Sequence, residues 1–192
     1  MMNSPELSMT RRCFFAKAAV AAAVPSAAVA CLAAAPAAGA NNAADSPDMP
    51  AAKLLNSGDA LTYLLVFHTG QEVMKGLLAF ARQNELVTGY ISGIGALSRA
   101  VIGYFDPETN AYLHNEQNEQ AELVSLLGNL SLNNNEPFFH IHVGLGLRDG
   151  SARGGHLFEA VVRPTVELIL NASHHAVHRE IDRVTGLPLL DP

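Results

Sequence analysis

Apolar and polar positions along the chain fall into a regular pattern only from about Leu61 onward. There "LTYLLVF" is an apolar run of strand length, closed by "HTGQ". From Gln71 to Asn84, the residues Val73, Met74, Leu77, Leu78 and Ala81 recur at helical spacing. Lys75 and Arg82 occupy the opposite face, which predicts an amphipathic helix with Thr69 or Gly70 near its start. "VTGYISGIGALSRAVIGYF" is rich in β-branched and aromatic residues, is punctuated by glycines, and predicts two strands. After the turn "DPETN" come a short strand at "AYLH", a longer one at "AELVSLLGNLSL" and a loop over Asn133–Pro137. A hairpin signal around Asp149-Gly150 and the strand "TVELILNA" follow. One helix among many strands predicts an α+β domain, a mostly antiparallel sheet with flanking helices.

The first 58 residues lack this pattern. Thr10-Arg11-Arg12-Cys13-Phe14-Phe15-Ala16-Lys17 has the twin-arginine shape and leads into an uncharged, Ala-rich stretch to Ala40. A spanning helix would need about 20 strongly apolar residues. Here the stretch is mostly Ala and is broken by Pro25 and Pro36, so residues 1–40 are predicted to be a twin-arginine signal peptide. Ala38 and Ala40 fit a cleavage site that makes Asn41 the first mature residue. Lipidation at Cys31 is the secondary route, weakened because no large aliphatic residue stands three positions before it. Either route predicts a periplasmic or secreted protein with no membrane span in its mature form. Residues 41–58, with Asn, Pro, Asp and Gly throughout, are predicted to be a flexible linker, and the domain is placed at 59–192.

Cleavage changes the charge. Removing Arg11, Arg12 and Lys17 from 12 basic residues, and Glu6 from 18 acidic ones, leaves 9 against 17, a net −8. A chain this acidic disfavours nucleic acid as a partner. Both cysteines, Cys13 and Cys31, lie in the leader, so cleavage at the Ala-x-Ala site leaves neither disulfide nor thiol nucleophile.

The candidate chemistry lies in "PFFHIHVGLGLRDGSARGGHLFEA". His140 and His142 are two apart, so strand alternation puts both imidazoles on one face, where they can share a metal. His156 is the candidate third ligand; the competing account is three structural, hydrogen-bonded histidines. A two-residue Asp149-Gly150 turn would pair His142 with Leu157 and point His156 away. A bulge at Gly154-Gly155, a loop one residue longer, or a ligand from a neighbouring subunit would restore convergence.

Glu122, Glu159 and Glu167 are further candidates, as ligands or general bases, with Glu122 alternatively an ion-pair partner of Arg99 or Arg153. His68 follows the first strand, while His174, His175 and His178 fall in a polar segment and are set aside. Gly93-x-Gly95 lacks the third glycine of a phosphate loop and is read as close backbone packing. No nucleophile elbow, P-loop or His-Glu-x-x-His helix occurs, so hydrolysis would have to run through a metal-bound water.

Taken in order, "GQEVMKGLLAFARQNEL", "GYISGIGALSRAVIGYFD", "AELVSLLGNLS", the histidine hairpin, "TVELIL" and "HREIDRVTGLPLL" resemble the PPC (plant and prokaryote conserved) domain over about Leu61 to Leu190. The resemblance implies a homotrimer and, in the bacterial branch, a histidine set at His140, His142 and His156; it implies no particular reaction. Plant members bind DNA through separate Arg-Gly-Arg-Pro AT-hooks, which this chain lacks. The expected protein is an exported trimer holding a divalent metal, zinc foremost, or a small ligand at the three histidines. A trimer without a site is the alternative, and DNA binding comes last.

Overall fold

The computed structural model describes residues 46–57 and 60–191. The leader, its twin-arginine motif and both cysteines lie outside the described residues. In chain order the elements are β1 (Ala51–Ser57), β2 (Ala60–His68), α1 (Val73–Gln83), β3 (Thr88–Asp106), β4 (Ala111–Gln117) and β5 (Ala121–Asn133). They continue with β6 (Glu136–Gly146), β7 (Ala152–Ser173), β8 (His178–Ile181) and β9 (Pro188–Asp191). All nine strands belong to one sheet, antiparallel except for a single parallel pairing of β5 with β8. Among the described residues α1 is the one helix, the one that the spacing from Gln71 to Asn84 predicts.

The ladders close on themselves. β3 pairs with β5 and β7, and β6 pairs with the same two strands. One side of this ring faces the core. On β6 the odd-numbered residues Phe139, Ile141, Val143 and Leu145 are buried, while His140 and His142 face outward. Leu65, Phe67, Leu77, Ile91, Leu126, Leu157 and Leu168 complete the same cluster.

"VTGYISGIGALSRAVIGYF" forms one strand, not two. β3 runs unbroken for 19 residues because its glycines allow register shifts and close contact rather than a stop. A Cβ on Gly93 or Gly95 would strike the backbone oxygen of Glu167 or Thr165 on β7, in keeping with the packing role expected of the pair.

Two differences lie at the start of the domain. Ala51–Ser57, placed in the linker by its composition, is β1; all seven residues are exposed and the strand is held by its ladder to β2, so no apolar period marks it. The helix begins later than Thr69 or Gly70, with Glu72 as its N-cap. The Glu72 carboxylate accepts from the backbone N–H groups of Met74 (3.0 Å) and Lys75 (2.7 Å), and from that of Ala160 on β7 (3.0 Å). Its own N–H donates to Asp48 Oδ1 at 2.7 Å. The Asp48 carbonyl lies so close to Gly76 that a Cβ there would collide with it.

Candidate metal centre

The β6–β7 hairpin decides whether the three histidines meet. Its register pairs His142 with His156, Val143 with Gly155 and Gly146 with Ala152, without a shift. Of the routes that would restore convergence, the longer loop is the one present. Leu147 N–H donates to Ser151 O at 2.8 Å, which leaves a three-residue tip of Arg148, Asp149 and Gly150. Gly150 takes the left-handed conformation that such a tip requires, with φ +82°. Asp149 steadies the tip by accepting from the Ser151 N–H (2.9 Å) and hydroxyl (2.6 Å).

Paired residues share a face, so His156 emerges beside His142, with His140 two residues along. Ring centroids are 5.1 Å apart for His140–His142, 5.2 Å for His140–His156 and 5.6 Å for His142–His156. One nitrogen from each lies within 4.8 Å of the other two. Tetrahedral zinc, at about 2.0–2.1 Å per Zn–N bond, needs them at roughly 3.4 Å. Contraction by about an ångström or so is within reach of rotation about the two χ angles of each histidine.

An aromatic wall backs the cluster. Tyr112 on β4 lies 5.1 Å from the His156 ring, and Phe158 lies 4.8 Å from it. His114 stacks on Phe158 at 4.4 Å. Gly103, opposite both His114 and His156, leaves the room these rings occupy. A Cβ there would collide with Phe158 and stand 2.9 Å from Tyr112.

Electrostatics keep the cluster ready for a cation. Burial, reinforced by His140, His142 and Arg179, holds the His156 pKa down at about 4. Burial also lowers that of His140, with smaller contributions from Arg179 and His142. Both are therefore neutral at pH 7, the form that binds metal. His156 Nδ1 is buried with no hydrogen-bond partner, a state that normally costs about 1–3 kcal/mol. A donor atom left in this state fits a metal ligand better than a packed, satisfied side chain.

The carboxylate candidates lie elsewhere. Glu159 forms an ion pair with Arg99, the arginine considered for Glu122. Glu122 and Glu167 line a separate surface cavity with Ile94 and Val124. His68 ends β2 opposite Thr165, and His178 opens β8 on the surface. Arg179, Tyr112, His114 and Phe158 were not singled out from the sequence. The Arg179 side chain is buried, at 8% exposed. It lines a cavity of about 190 Å³ with Tyr112, Phe138, His140, His156 and Leu187–Leu190. Alternation along "HREI" hints that Arg179 points inward, but two of its hydrogen-bond partners, Asn129 and Ser131, lie some 50 residues away on β5.

Residues 56–174 match the family model of the Plants and Prokaryotes Conserved (PCC) domain. The fold is similar to that of a metal-containing protein from Archaeoglobus fulgidus, at 35% identity and TM-score 0.64 over 75% of this chain and 99% of that one. It is also similar to a Bacteroides thetaiotaomicron protein named as a candidate for DNA binding, at 29% identity and TM-score 0.68, covering 73% and 96%. Among curated proteins it is 31% identical over 135 residues to the bifunctional protein GlmU of Synechococcus sp.. That match takes in 69% of this chain but spans only a fifth (20%) of the longer protein.

Proposed function

Because the chain belongs to the Plants and Prokaryotes Conserved domain family, we propose that it is an exported member in which His140, His142 and His156 hold one divalent cation, zinc foremost, leaving a position open for a small ligand. The observation that carries this reading is the buried, unpartnered Nδ1 of His156 within a set of three imidazoles whose donors lie within 4.8 Å of one another. Three imidazoles with no carboxylate suit zinc or another borderline metal rather than calcium or magnesium, which take oxygen ligands. Three protein ligands leave a fourth position for water or a ligand, the arrangement of catalytic rather than structural zinc. The metal-containing Archaeoglobus relative, at 35% identity, supports the same reading.

The twin-arginine leader places this chemistry in the periplasm or outside the cell. Among the described residues no helix is long and apolar enough to cross a membrane. Assembly as a homotrimer completes the proposal, since Ile94 and Val124 leave an apolar patch 60% and 63% exposed. DNA binding, suggested by the Bacteroides relative's name, meets a mature chain of net charge −8 with no AT-hook.

Elemental analysis of protein isolated from the export compartment tests the metal directly. One equivalent of a divalent metal per chain is expected. Each of His140→Ala, His142→Ala and His156→Ala should weaken its retention by more than about 100-fold, while His68→Ala leaves it unchanged. Metal-free wild type that stays metal-free on reconstitution with zinc would leave the trimer without a site.

A further inference from the structure

We infer that the cavity between the histidine cluster and the β8–β9 hairpin takes a small organic carboxylate, its charged end on Arg179 and its apolar body against the Leu187–Leu190 wall. This deepens the metal reading and rests on it for the second positive charge at the site.

Arg179 is the starting point. Its guanidinium is removed from water yet forms no ion pair with any carboxylate among the described residues. Its partners are all neutral: Ser131 Oγ at 2.7 Å, Asn129 Oδ1 at 2.6 Å and Pro188 O at 2.8 Å, with the Phe138 ring 4.8 Å from the guanidinium carbon. Those bonds use three of the five N–H donors of the fork and leave two without a protein acceptor. Buried cations are ordinarily paired, because leaving one uncompensated is costly. Here no compensating carboxylate is found among the described residues, and the cation lines an open cavity.

The cavity selects the rest of the ligand. His140 and His156 line it together with Arg179, so an occupant on Arg179 sits beside the proposed metal. Leu187, Leu189 and Leu190 line it too, with Tyr112 and Phe138. At about 190 Å³ it holds roughly six water volumes, below the ~300–1,000 Å³ range of larger ligand sites. A planar carboxylate matches the guanidinium fork, and a short branched alkyl or aromatic body matches the wall. Inorganic phosphate would satisfy the charge but leave the leucines unused.

Calorimetric titration of the mature exported chain, zinc-loaded and metal-stripped, tests the assignment with three probes: isovalerate, its neutral isostere isovaleramide, and inorganic phosphate. Isovalerate should bind at least about ten-fold more tightly than the amide. Arg179→Gln should erase that preference while elemental analysis shows the metal retained. Leu190 is 45% exposed, so Leu190→Glu should fold and still weaken isovalerate by about ten-fold, and Leu190→Gln, which loses the apolar contact without adding a charge, should weaken it less. Equal binding of acid and amide, absence of binding by either, a preference that survives Arg179→Gln, or phosphate binding as tightly as isovalerate would each overturn the carboxylate assignment. A chain that takes up no zinc defeats the metal reading instead. The carboxylate preference is then judged on the metal-stripped chain, where Arg179 alone must produce it.

Discussion

His142 and His156 stand directly opposite one another in the β6–β7 ladder, their ring centroids 5.6 Å apart at an interplanar angle of 87°. A shift of one residue in that ladder would turn His156 into the core and bring Leu157 out. The three-residue tip at Arg148–Gly150 sets the register, so the geometry of the histidines depends on a glycine six residues away. Gly150→Val, forced to φ +82°, should cost about 1–2 kcal/mol and lower zinc retention, whereas Gly150→Asn keeps both near wild type. Thermal melts with and without zinc check this.

Gly103 should be equally intolerant for another reason. A methyl there meets Phe158 and Tyr112, so Gly103→Ala is expected to push the aromatic wall off His156 and cost about 1–3 kcal/mol. The denaturation midpoint of the metal-stripped protein gives the cost, and zinc affinity reports the displaced wall.

Acid should destabilise the metal-stripped fold through His156. Its pKa is about 4 in the folded chain against an ordinary 6.5, so the unfolded chain takes up the proton first. Above about 6.5 both forms are neutral and nothing is lost. Stability falls as the pH drops from there toward 4, then levels off as the folded form also protonates, with His140 acting in the same direction. Melting temperature against pH should flatten in His156→Gln; parallel curves for variant and wild type would exclude His156 as the source. Zinc-loaded protein should release its metal on acidification, since protons compete for the same nitrogens.

Assembly is expected to depend on the patch around Val124, which shares a surface cavity with Ile94. Val124→Asp places a charge on an exposed apolar site and should convert a trimer into monomers without unfolding them. Light scattering distinguishes the two, and a stable wild-type monomer at micromolar concentration ends the trimer proposal.

Export is expected to fail when Arg11 and Arg12 are both replaced by Lys, leaving uncleaved precursor in the cytoplasm. Fractionation and immunoblotting decide it, and undiminished export would rule out the twin-arginine route.

Features set by local periodicity were legible in the sequence. The helix and the long strand β5 follow from spacing, and the shared face of His140 and His142 follows from alternation. Features set by hydrogen bonding or by distant contacts were less accessible. β1 is exposed throughout and its apolar residues show no alternation. The register that brings His156 round depends on turn conformation, which several loop lengths satisfy equally. Arg179 reaches the site from a four-residue strand, through partners on β5. The glycines of β3 look like punctuation but serve as contact points, so one strand was divided into two.

The bond from the Glu72 N–H to Asp48 bears on where this domain can be cut. The family match opens at residue 56, and a chain trimmed there would lose Asp48 and nearly all of β1. Glu72 would keep its grip on the helix and on Ala160 but lose its own acceptor. The hollow over Gly76, shaped to the Asp48 carbonyl, would lie open, and β2 would become a bare sheet edge. The residues before 56 are thus part of what holds the helix and the β2 edge in place, and an excised fragment should start no later than Ser46.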